Sequence, residues 1–307
     1  MKQFNNVLLI SPINDQLVEQ AAELLTTSQA MVTLMSIAPN LEVRKVSTAS
    51  GKEIDLQVLL EEELQSELAE IAQPLLDEHK RVQTVVKTDD HAFIKVIEQV
   101  VSGKHDLVMM LADGVSSIRE QLFGTLSMHL MRKCPCAVWV VKPSKRQKLR
   151  NVFAAVDPDA DNPIRNELNI EVLKRASTVA QNNNAKLHIV HAWNTFGAEG
   201  TRGRRLMTKT EVRMYVEEIK NAHRKHLDLL VQDQADESAI VHMLQGRAGT
   251  VIPKAIENNK GDLLVMGTVC RTGIPGFFIG NTAETILNQV DCSVLTVKPK
   301  SFVSPIA

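Results

Sequence analysis

Cysteine is scarce in this sequence, with four residues in 307. That excludes a disulfide scaffold and fits a reducing compartment. Excess charge of either sign is also missing: 35 Lys and Arg against 36 Asp and Glu leave a net charge of -1. There is then no global electrostatic reason to expect nucleic acid or an anionic membrane as a partner. No apolar run approaches the roughly 20 residues of a membrane span. Near the N-terminus only residues 7–10 form an apolar run, too short for the core of a secretory signal. A cytosolic protein is expected. Catalytic signatures are absent as well: there is no Gly-x-Ser-x-Gly, no Walker loop and no His-Glu-x-x-His.

What the sequence does contain is itself, twice. Residues 106–143 align without a gap on residues 262–299, at a constant offset of 156. Ten of these 38 positions are identical, among them Gly124/Gly280, Cys136/Cys292 and the closing Lys142-Pro143/Lys298-Pro299. A repeat of about 150 residues is a duplicated domain, too long for a solenoid unit. The length alone also predicts two domains, each large enough to bury its own core.

Each half alternates short apolar runs with helical patterns. In the first half the runs are 7–10, 31–38, 82–86, 107–111 and 137–141; in the second they are 152–156, 186–192, 240–244, 263–266 and 294–297. Continuous apolar runs suit strands covered on both faces. Between them, Val18, Ala21, Ala22 and Leu25, then Leu64, Leu68, Ile71 and Leu75, recur at helical spacing, with Pro74 expected to bend the second helix. Val172, Ala176, Val179 and Ala180, and the stripe Val212, Val216, Ile219, His223 and Leu227, do the same in the second half. Such alternation implies right-handed crossovers and parallel sheets. The expected fold is two tandem flavodoxin- or Rossmann-like α/β layer sandwiches, each with a five-stranded parallel sheet in the order 3-2-1-4-5. The predicted domains span 1–143 and 151–300, with a basic linker at 144–150 and a tail at 301–307.

In open α/β sheets, ligands bind beyond the carboxyl ends of the strands, where the strand order reverses. In the second half the segments there are Asp157, ending the first strand, and Met266-Gly267-Thr268-Val269-Cys270 through Gly280-Asn281-Thr282, following the fourth. This pattern resembles the universal stress protein family, whose nucleotide-binding members carry G-x2-G-x9-G-[ST] after that strand. The tandem layout, Gly280-Asn281-Thr282-Ala283-Glu284 and the Lys298-Pro299 ending are most similar to its UspE type. In the family motif, glycines let backbone approach a phosphate and adopt positive φ, and the last pair presents helix-terminal N–H groups to an anion. Here both copies depart from it. The second half reads Gly267-x2-Cys270-x9-Gly280-Asn281, so the second glycine is Cys and the hydroxyl residue is Asn. The first half reads Leu111-x2-Gly114-x9-Gly124-Thr125, so the first glycine is lost. The acidic residue that ends the first strand in nucleotide-binding members is kept as Asp157 and replaced by Ser11 in the first half.

The resemblance implies a candidate nucleotide site at Asp157, Met266, Gly267, Thr268, Cys270, Gly280, Asn281 and Thr282, and a degenerate one at Ser11, Gly114, Gly124 and Thr125. Leu111 would block or reshape the latter. A side chain at Cys270 costs about 1 kcal/mol where positive φ is needed, and Asn281 can cap the following helix. Asn281-x-x-Glu284 also reads as a capping box that needs no ligand. Cys134, Cys136 and Cys292 read as structural thiols, whereas Cys270 beside Arg271 has the setting of a low-pKa thiol. His223 and His226, at i and i+3, read as boundary residues. His188 and His191, three apart on a strand, point to opposite faces and form no ligand pair. The basic clusters 145–148 and 202–205 lack interleaved aromatics, so they read as solvated loop, with nucleic acid not expected.

The functional expectation is a cytosolic, non-catalytic stress-response module that works by ligand binding and association. No metal site and no catalytic residue is expected. The resemblance further implies that the two halves pair as an internal pseudo-dimer through their last strands, with a homodimer of the whole chain as an extension of that scheme. The alternative is an ATP-dependent switch or weak ATPase in the second-half cleft, with ATP and Mg²⁺ as its cofactors.

Overall fold

The computed structural model describes residues 4–25, 30–77, 81–112, 123–144, 148–159, 162–195, 207–232, 234, 238–268 and 279–306. The chain divides into two compact units, one in each half. The first contains β1 (Asn6–Ile10), α1 (Asp15–Leu24), β2 (Met31–Ala38), β3 (Lys45–Ser47), β4 (Glu53–Asp55), α2 (Leu56–Asp77) and β5 (Arg81–Thr88). It continues with α3 (Ala92–Gly103), β6 (Leu107–Leu111), α4 (Thr125–Lys133) and β7 (Ala137–Val141). Within this unit β1 lies between β2 and β6, β5 flanks β2, β7 flanks β6, and every one of these pairings is parallel.

The central strands bury nearly every residue, as their unbroken apolar runs require, whereas β5 alternates exposed and half-buried positions at the rim. The polar stretch before α2, which has no apolar run in the sequence, carries the small antiparallel hairpin of β3 and β4. Pro74 lies inside α2, as expected, and the helix ends three residues later at Asp77.

The second unit contains β8 (Asn151–Ala155), α5 (Pro163–Asn182), β9 (Lys186–Trp193), α6 (Lys209–Gln232), β10 (Ile240–Gln245), α7 (Ala248–Asn258), β11 (Leu263–Gly267), α8 (Asn281–Leu287) and β12 (Ser293–Val297). Here β8 lies between β9 and β11, with β10 outside β9 and β12 beside β11, again parallel throughout. Helix α5 packs on β8, β9 and β11, while α7 packs on β9 and β10 and against α8. Helix α7, not among the predicted helices, carries Pro253 in its interior.

The duplication extends to backbone detail. Asp106 Oδ2 and Oδ1 accept the Asn5 and Asn6 N–H groups at 2.8 and 3.1 Å. Asp262 Oδ2 accepts the Arg150 and Asn151 N–H groups at 2.8 and 2.9 Å. Each aspartate so ties the start of its unit's first strand to the fourth. Two residues before each, Lys104 and Lys260 adopt left-handed backbone at φ 54° and 52°. These copies have kept one turn geometry even where L-residues pay roughly 1–2 kcal/mol for it.

Candidate functional site

In the second unit the end of β8 is tied down by the start of α5. Asn162 caps that helix by accepting the Arg165 N–H at 3.0 Å. One turn on, Asn166 Oδ1 accepts the Asp159 N–H at 3.1 Å, and Asn166 Nδ2 donates back to the Asp159 carbonyl. Asn169 Oδ1 accepts the Asp157 N–H at 2.9 Å. Arg165 Nη1 lies 2.6 Å from the Asp159 carboxylate and 3.7 Å from that of Asp157. The polar face of one helix therefore holds the whole 157–159 segment.

Behind it, β11 ends at Gly267, and Leu168 of α5 lies across that glycine. A Cβ at Gly267 would stand 2.5 Å from Leu168 Cδ2. The Thr268 carbonyl accepts the Gly280 N–H at 3.2 Å. The Thr268 side chain meets the buried Lys298 ammonium, which donates to Thr268 Oγ1 at 2.5 Å.

These segments enclose a cavity of about 320 Å³, reached by Asp157, Met266, Gly267, Gly280, Asn281 and Thr282 of the predicted set. Leu168, Ile252 and Ile286 complete its apolar walls, and Arg165 and Asn169 also face it. Thr268 is fully buried beside the loop, and Cys270 lies outside the described residues. A wider cavity of about 810 Å³ shares Asp157, Arg165, Asn281 and Thr282 and extends to Trp193, His223 and Arg247.

Two histidine pairs lie on opposite faces of this sheet, as the positions of His188 and His191 require. His191 Nδ1 lies 3.1 Å from the Val156 carbonyl, which can only accept, so Nδ1 carries the proton. His191 Nε2 lies 2.8 Å from His223 Nδ1 and, in the neutral pair, accepts from it. Burial pulls the His223 pKa down, with nearby Asp157 opposing and His226 assisting. On the other face His188 Nδ1 meets His242 Nε2 at 3.0 Å, and Phe153 stacks on His188 with ring centres 4.6 Å apart.

Gly280 and Gly124 have φ of -64° and -68°, a backbone that any residue adopts. One reading of the loop needs correction: the Asn281-x-x-Glu284 capping box does not form. Gly280 itself is the N-cap of α8 and Asn281 is its first helical residue, so Asn281 does not cap the helix. A glycine at the cap leaves Asn281 one position too far along to fold back on the first turn.

In the first unit Gly124 likewise precedes α4 without a side-chain cap, and Thr125 begins the helix. Ser11 donates its N–H to the Met35 carbonyl at 2.8 Å. Gly114 lies outside the described residues. Lys142, the counterpart of Lys298, stands 4.6 Å over the Phe123 ring. The same repeated lysine serves a different contact in each half.

A model of the universal stress protein family matches residues 9–142 and again 151–298. The chain belongs to the universal stress protein family. It is 28% identical over 226 residues to universal stress protein E of Escherichia coli K12, covering 73% of this chain and 71% of that protein. It is also 23% identical to the universal stress protein E homolog of Haemophilus influenzae, covering 97% and 98%. A crystal structure of a functionally unknown protein from Pseudomonas aeruginosa PAO1 shares the fold with a TM-score of 0.73 at 22% identity, over 97% of this chain and 93% of that one. This is a tandem, UspE-like universal stress protein.

What the sequence reading of this universal stress protein missed is the contribution of α5. Arg165, Leu168 and Asn169, at i, i+3 and i+4, present one helix face to the cavity. That spacing, directly after an acidic strand end, was the available signal. The His191–His223 pair had none, because its members are 32 residues apart.

Proposed function

We propose that this tandem universal stress protein is a non-catalytic ligand-binding module of the cytosol, acting in the stress response, with its ligand site in the second-half cleft. The observation that carries this reading is the convergence of the β8 end, the β11 end, the α8 start and the Arg165/Leu168/Asn169 face on one mostly apolar cavity. Such a cavity, with few polar groups at fixed positions, is what small-molecule sites share.

Leu168 fills the space over Gly267, and the Gly280 N–H is engaged by Thr268. A compact ligand suits the site better than a nucleotide held by its phosphates. The functional reading extends to association: within its own unit each last strand, β7 and β12, has a partner on one side only and is built from apolar residues. Such edges favour being paired, so the two halves form a pseudo-dimer through these strands.

The test is to denature freshly purified protein, identify released small molecules by mass spectrometry, and titrate ATP with and without Mg²⁺. A released compact ligand, or no ATP binding at millimolar concentration, agrees with the reading. Stoichiometric bound ATP, or steady ATP turnover, would replace it with the switch.

A further inference from the structure

We infer that Asn169 is the specificity-determining donor of the smaller cavity. Its ligand is a compact, largely apolar molecule, or the apolar end of one, presenting a hydrogen-bond acceptor such as a ring nitrogen or carbonyl oxygen to Asn169 Nδ2. This rests on the ligand-binding reading above and names the chemistry such a ligand must carry.

The Asn169 side chain has a fixed orientation. A backbone N–H can only donate, so the atom 2.9 Å from the Asp157 nitrogen is the amide oxygen. The other end, Nδ2, is therefore an NH₂ group carrying two donors. Asn169 is only 5% exposed, and its Nδ2 meets no acceptor among the described residues. Buried donors left without partners are uncommon and costly in native folds. Asn169 is among the residues that line the cavity.

Nothing on the walls answers it. Leu168, Ile252, Met266 and Ile286 offer no strong acceptor, and the nearby carboxylate of Asp157 faces Arg165. Holding the Asp157 amide does not require the NH₂ group either, since any side-chain oxygen in that place would accept the same bond. The donor is thus the half of the side chain that the fold leaves to a ligand. At about 320 Å³ the cavity sits at the small end of the range for small-molecule sites, roughly 300–1,000 Å³. Its aliphatic walls suit a flat ring.

The full-length, isotopically labelled chain can be titrated with pyridine and with benzene in mildly alkaline buffer, where pyridine is uncharged. The rings match in size and differ by one acceptor nitrogen. Pyridine should move the Asn169 side-chain amide protons downfield while benzene leaves them in place, and both should shift the Leu168 and Ile252 methyl signals. The pyridine-to-benzene affinity ratio should then fall about threefold to tenfold in Asn169→Leu. Using the ratio cancels the unequal cost of taking the two rings out of water. If the variant does not fold, the amide shift in the unaltered chain reads the same bond. Entry of both rings with the Asn169 amide unmoved, or an unchanged ratio in a folded variant, overturns the role of Asn169 and leaves the ligand-binding reading standing. Entry of neither ring, with benzene at saturation and pyridine at the same concentration, overturns both.

Discussion

Leu168 lies across Gly267, close enough that a Cβ on the glycine would stand 2.5 Å from its Cδ2 and 3.0 Å from its Cγ. A side chain at the first glycine of the loop would therefore have to displace Leu168. Gly267→Ala should destabilise the second unit by about 1–3 kcal/mol, the usual cost of overpacking. Adding Leu168→Ala should cancel part of that penalty, a coupling of at least about 0.5 kcal/mol. Urea denaturation of the two single variants and the double variant measures it. Strict additivity would mean that the two side chains do not meet.

The histidine pairs make the second unit acid-sensitive. Burial is the leading cause that lowers the pKa of His188, His242 and His223 below the ordinary histidine value of 6.5. The unfolded chain then binds protons at a higher pH than the fold does. Stability is fully present above about pH 6.5 and is lost as pH falls through that value toward the lower folded pKa values. His188→Phe, which keeps a ring beside Phe153, should flatten this slope. Denaturation midpoints between about pH 8 and pH 5 test it; a midpoint that rises on acidification contradicts the assignment.

Asp106 and Asp262 should behave as twins. Each accepts two backbone N–H groups, so Asp→Ala at either position removes two charge-assisted bonds and should cost about 1–3 kcal/mol. Hydrogen exchange localises the effect. Asp106→Ala should speed exchange at Asn5 and Asn6, and Asp262→Ala at Arg150 and Asn151, each sparing the other half.

Cys134 and Cys136 place their sulfurs 3.5 Å apart, with Cys134 buried. Hydrogen bonding to Cys134 and burial hold the Cys136 thiol well above its usual pKa. Only the thiolate is nucleophilic, so Cys136 should alkylate much more slowly than a free thiol in native protein at neutral pH, and at the free-thiol rate in denaturant. Peptide mapping after timed iodoacetamide treatment reads both rates. Fast native labelling of Cys136 would contradict the shift.

Much of the architecture was legible in the chain. Apolar runs such as 107–111 and 263–266 suit strands buried on both faces, which they form, and an ungapped repeat at an offset of 156 marks two copies of one unit. Local breaks were less legible. Helix α7, which packs on β9 and β10, holds a proline in its interior, a residue that ordinarily argues against a helix. The hairpin of β3 and β4 carried too few apolar residues to show a period.

The repeat, the acidic strand end at Asp157 and the altered glycine loops were fixed by the sequence, because strand periodicity and residue identity are local properties. Only the tertiary structure decided what fills the cleft. Leu168 closes over Gly267, Gly280 takes the cap from Asn281, and Asn169 spends its oxygen on Asp157 while keeping a donor for the cavity. The first of these depends on a helix face meeting a strand end roughly a hundred residues away, and a contact at that separation leaves no periodic trace in a single chain.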